Sequence, residues 1–130
     1  MIGSWSAHAQ TYLLVLSIAT TLVFALPIFL VPLLWARVMQ WQLPEHTDLA
    51  VYFGRCLGAF ILIVEGLMLR AALTGEALVT TFEVLAAVAG FMVAVHIYGA
   101  LRRIQPWTET VETGFYAGML VLTLLFWPMG

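Results

Sequence analysis

From residue 12 to residue 35 the chain runs 24 residues without a charged side chain. Crossing the hydrocarbon core of a bilayer takes about 20 apolar residues in a helix. Water cannot satisfy backbone polar groups at that depth, so such a run has few folds open to it besides a spanning helix. Three further apolar segments follow, at about residues 51–73, 78–101 and 112–127. The last has an apolar run of only 14 residues, 114–127, and draws on residues 110–113 to reach across. The chain therefore reads as one all-α domain over residues 1–130, an integral membrane four-helix bundle of antiparallel, up-down topology.

The composition agrees with that reading. Of 130 residues 63% are hydrophobic and 9% charged, where a soluble domain carries about a quarter charged residues. The five cations are all Arg, and a net charge of −2 offers no basic stripe for nucleic acid. The single Cys56 excludes an internal disulfide and reads as a small apolar filler. No basic residue precedes the first apolar run, which exceeds the roughly 7–15 residues of a signal-peptide core, so it is expected to remain as a helix. Pro27 and Pro32 are expected to kink it.

The connections at residues 40–49, 74–77 and 102–110 are short, which makes consecutive helices antiparallel neighbours. Arg37, Arg102 and Arg103 fall on the side of the first and third connections, and the positive-inside rule makes that side cytoplasmic. Trp5 and Trp127 sit at the opposite helix ends from Trp35, Trp41 and Trp107, as an aromatic belt at two interfaces requires. The expectation is a multi-pass protein of a bacterial inner membrane with both termini outside.

Charge at membrane depth is costly, so intramembrane ionisable residues mark candidate sites. Glu65, Arg70 and Arg55 lie on the second helix and Glu83 on the third. At 100° per residue, Gly54, Gly58 and Glu65 share a face within about 40°. Glu83, Ala87, Gly90 and Ala94 do the same on the third helix. Folding the two helices about Gly75 would bring Glu65 to the height of Glu83, and the small-residue stripes would allow close approach. The expected polar site is Glu65 with Glu83 and Arg70, either a proton or cation site or a hydrogen-bonded clamp. The same folding sets Arg55 beside His96, with Tyr98 and Tyr116 near that level. Arg55, His96 and Tyr98 could contact a quinone or other cofactor, though the sequence names none. His8 and His46 are too far from His96 in the expected topology for a bis-histidine haem. Gly114 and Gly118 offer another packing stripe on the fourth helix.

Thr108 or Thr110 is expected to cap that fourth helix, with Glu109 and Glu112 in its first turn favoured by the helix dipole. No nucleophile–base arrangement, phosphate loop or metal-ligand spacing is visible, and no metal site is expected. The second helix opens Tyr52-Phe53-Gly54-Arg55-Cys56-Leu57-Gly58-Ala59. This Gly-Arg-x-x-Gly opening resembles small four-helix membrane families, the DoxX-like proteins and the Erg28-like sterol scaffold. It departs from them in having no Lys at the end of that helix and in the Ala-Val-His-Ile-Tyr-Gly run around His96. The resemblance implies an accessory or scaffold role and assigns no functional residue.

Three functional readings follow. The leading one is a non-catalytic membrane subunit or scaffold, packed against partner membrane helices or copies of itself. The second is a dimeric proton- or cation-coupled transporter using Glu65 and Glu83. The third is a quinone- or haem-binding subunit near Arg55 and His96.

Overall fold

A computed structural model describes all 130 residues as helices joined by short turns, without a strand. The regular elements are α1 (Ala9–Thr20), α2 (Leu26–Leu30), α3 (Pro32–Val38), α4 (Asp48–Thr74), α5 (Leu78–Arg102) and α6 (Trp107–Leu125). Three stretches are long and apolar enough to cross a membrane: Ser6–Leu30, Asp48–Thr74 and Leu78–Arg102. α6 is shorter, and its first turns carry Glu109 and Glu112.

The first apolar run is broken rather than merely kinked. Pro27 has no N–H to give the carbonyl of Val23, and upstream of it the helix loosens into a π turn at Thr21–Ala25. The orphaned Val23 carbonyl accepts a hydrogen bond from the Trp35 indole at 3.3 Å. At Val31 the helix stops, with φ −136° and ψ 59°, because Pro32 disfavours helical geometry in the residue before it. Pro32 then starts α3 at a position where the missing N–H costs nothing.

This broken segment lies against the glycine stripe of α4, which corrects the expected pairing. A Cβ at Gly58 would fall 2.5 Å from the backbone nitrogen of Phe29, and one at Gly54 would fall 2.7 Å from Pro32. The close seam therefore joins α4 to the first apolar stretch, not to α5. Gly90, Gly114 and Gly118 have no atom within 4 Å of an added Cβ, so they pack against nothing in this chain.

The well-packed core sits at one end. Ala9 and Leu13 of α1 meet Met68, Ala71 and Ala72 of α4 and Phe82 and Leu85 of α5. The α4–α5 turn closes here through Gly75, whose φ of 74° is the left-handed geometry a helix terminus commonly needs. Gln10 donates to the Ala72 carbonyl at 3.0 Å, tying α1 to that turn. Both termini meet at the same end, where Gly3 N–H bonds Leu124 O and Trp5 N–H bonds Leu125 O. Tyr12 stacks on Phe126 at 4.7 Å and shares a hydrogen bond with Thr123 at 2.9 Å.

Beyond this core the long helices part. α4 and α5 approach each other little, while α4 stays on the first stretch and α5 on α6. Between the two pairs lies a cavity of about 810 Å³.

Candidate functional site

The cavity is walled by apolar side chains, among them Phe24, Leu57, Ile61, Val88, Phe91 and Met119. Its polar lining includes Glu65, His96, Glu109, Glu112 and Tyr116. Three of those residues form one buried cluster. His96 Nε2 lies 3.0 Å from Glu109 Oε2 and 3.3 Å from Glu112 Oε2. The His96 side chain is 6% exposed and each glutamate side chain 10%.

Three segments hold the cluster together. His96 stands on α5, and its Nδ1 is 2.7 Å from the carbonyl of Met92. A carbonyl only accepts, so Nδ1 carries the proton and donates it there. Nε2 is then the nitrogen turned toward the carboxylates. Glu109 and Glu112, three residues apart on α6, share one helical face. The third segment is the turn that follows α3, whose Trp41 indole donates to Glu109 Oε1 at 2.7 Å.

The connection between α5 and α6 fixes the register. Gln105 folds back to donate to the His96 carbonyl at 3.0 Å and to Thr110 Oγ1 at 3.1 Å. It can do so because position 99 is glycine: a Cβ there would clash with the Gln105 side-chain amide. Trp107 donates to Gln40 at 2.8 Å and Thr108 to the Met39 carbonyl, binding the residues after α3 to the start of α6. Tyr116, one turn beyond Glu112, packs its ring 5.1 Å from the imidazole.

The expected sites divide sharply against this geometry. Glu65 is buried, at 6% exposure, but it faces α1 rather than α5. Thr20 donates to its Oε1 at 2.5 Å, Ser17 donates to its backbone carbonyl at 3.3 Å, and Oε2 has no partner. Glu83 is exposed on α5 and does not meet it. Arg70 pairs instead with Glu76 at the exposed α4–α5 turn. The predicted carboxylate pair is absent because α4 turns its glycine–glutamate face to the first stretch. Of the second group His96 belongs to the cluster and Tyr116 packs beside it, while the other two do not. Arg55 is exposed on α4, and Tyr98 is exposed with the Arg102 guanidinium 5.9 Å over its ring.

The helix-cap expectation also fails. The N-cap of α6 is Pro106, with no side-chain cap, and neither Thr108 nor Thr110 fills that role. Glu109 and Glu112 turn inward. An acidic first turn is a common cap-side signal, and nothing in the local pattern sends both carboxylates to a histidine 13 and 16 positions earlier.

Chemically, the cluster is rich in acceptors. With Nδ1–H committed to Met92, a neutral His96 would present a lone pair to two carboxylates that also only accept. A positive species must lie among them, whether a proton or a bound cation. Neither a protein-family model nor any curated protein or solved structure matches the chain.

Proposed function

We propose that this chain is a multi-pass membrane protein, an up-down bundle of four spanning helices, that binds a lipid-soluble small molecule carrying a hydrogen-bond-donating head. The observation that carries the reading is the cavity. Its volume of about 810 Å³ lies in the range of small-molecule sites, roughly 300–1,000 Å³. It combines a long apolar wall with a small group of convergent polar atoms at one end, the usual division between affinity and orientation. The carboxylates of Glu109 and Glu112 favour a donor in the head group, so a quinol or another hydroxyl-bearing lipid suits the site better than a quinone. Glu65, farther along the same cavity, supplies a second acceptor.

Trp35 and Trp41 both line the cavity, which supplies a direct test. A short-chain ubiquinol analogue should quench tryptophan fluorescence saturably in the purified protein. Val88→Trp, placed on the cavity wall, should abolish the saturable change while leaving the thermal midpoint close to that of the parent. Absence of saturable quenching in the parent, or quenching untouched by a folded Val88→Trp variant, would remove the reading.

A second reading has its own observation. Gly114 and Gly118 are exposed, one helical turn apart, and meet nothing in the chain. Such a stripe suits close packing on a second copy or a partner helix, in line with the scaffold role that the resemblance implies. Gly118→Leu should then leave thermal stability unchanged but shift the native complex to a smaller size on native electrophoresis. An unchanged size would leave this face to lipid.

A further inference from the structure

The geometry points to a divalent first-row transition-metal ion held by His96 Nε2 and one carboxylate oxygen each from Glu109 and Glu112. The proposal deepens the reading of the cavity by naming what sits at its polar end, and it stands whether or not a lipid occupies the rest.

Four independent features agree. The first is spacing. Tetrahedral zinc-type sites hold nitrogen and oxygen donors at about 2.0–2.2 Å, which sets neighbouring donor atoms roughly 3.3 Å apart. Nε2 stands 3.0 Å and 3.3 Å from the two carboxylate oxygens, which matches two edges of such a site. The second is the tautomer. A metal-ligating histidine typically donates its other ring N–H to a carbonyl or carboxylate, which orients the ring and fixes the free lone pair. The Nδ1 bond to Met92 does this here. Trp41 holds Glu109 by its second oxygen in the same supporting manner.

The third feature is charge. Two carboxylates and a neutral imidazole carry a charge of about −2, and a histidinium would still leave −1. The cluster is buried in the bundle, where an uncompensated charge is costly. One divalent cation makes the group neutral, where protons would have to number two. The fourth is an unmet acceptor: Glu112 Oε1 is buried with no hydrogen-bond partner and Oε2 meets only His96, so Glu112 is free to turn either oxygen to an ion. Mixed imidazole and carboxylate donors select first-row ions such as Zn²⁺, Fe²⁺ or Mn²⁺ over soft Cu⁺, which prefers sulfur. All-oxygen sites suit Ca²⁺ and Mg²⁺, and a histidine ligand argues against both.

Three protein donors leave a tetrahedral ion one position open, as in catalytic zinc sites. His96, Glu109 and Glu112 all line the cavity, so that position would face its contents. A hydroxyl head group would have a place to bind there.

Co²⁺ gives the test, because its visible absorption reports coordination geometry. The full-length protein, stripped with chelator in mild detergent and titrated with Co²⁺ alone, should develop a saturable d–d band at one ion per chain. Zn²⁺ should bleach that band, and Mg²⁺ should not. Glu112→Gln keeps the side-chain shape and removes one charged donor, and it should weaken Co²⁺ binding by more than about tenfold, as even loss of a supporting group can. His96→Gln should do the same, with thermal midpoints confirming that both variants are folded. A parent that binds no Co²⁺, or folded variants that bind it as the parent does, would overturn the site. No lipid ligand is present in this experiment. Its failure would leave the fluorescence test of the cavity standing, and failure of that test would leave this one standing.

Discussion

Gly58→Leu is expected to lower the stability of the bundle by about 3 kcal/mol or more, the upper end of what overpacking a core costs. The added Cβ would fall 2.5 Å from the Phe29 nitrogen and 2.6 Å from its Cα. Those are backbone atoms, which no rotamer change can move aside. Phe29 sits in α2, between the π turn and the Val31 break, so its backbone is already held by the geometry the prolines impose. Gly90→Leu is the matched control. It makes the same replacement in a helix interior of comparable length, with nothing within 4 Å of the new Cβ. Leucine is the better helix former by about 0.5–1 kcal/mol, so Gly90→Leu should be neutral or slightly stabilising. Thermal unfolding in mild detergent separates the two, and equal midpoints would show that α4 and the first stretch are not in backbone contact.

His96→Leu should cost about 3–5 kcal/mol, the usual result of removing one partner from a buried ionic cluster. The imidazole is the group facing both Glu109 Oε2 and Glu112 Oε2, and the leucine would leave two carboxylates together with only Trp41 donating to one of them. Adding Glu109→Gln and Glu112→Gln should recover most of the loss. The glutamines remove both charges, and the one at position 109 keeps an acceptor for the Trp41 indole. This recovery tells an electrostatic cluster from a merely well-packed histidine, since a packing defect at position 96 would persist in the triple variant. A His96→Leu protein that melts with the parent, or a triple variant no more stable than the single one, would show that the three groups do not depend on one another.

The amino-acid sequence by itself determined where the long helices run. Length and apolarity fix a long helix locally, because its backbone hydrogen bonds close within the segment whatever surrounds it. The expected bounds of 51–73 and 78–101 fall within or at the edges of α4 and α5, and Gly75 marks their turn. Proline likewise acts on its own neighbourhood, so the disturbance near Pro27 and Pro32 was legible, though not the full break at Val31. The burial of Glu65 was legible too, from the cost of an acid among apolar residues.

Only the tertiary structure decided which helix each face meets. In these helices the apolar surface extends nearly all the way round, so hydrophobic pattern carries little information about partners. The Gly54–Gly58–Glu65 stripe was visible, but nothing in it distinguished α5 from the broken first stretch. The breaks at Pro27 and Pro32 shape the backbone that fits it. The cluster of His96, Glu109 and Glu112 was hidden for a related reason. Its side chains come from two helices, across a connection whose register depends on Gln105 reaching over Gly99, and Trp41 joins from a third segment. Local spacing cannot encode a site whose distances are set by the packing of one helix on another.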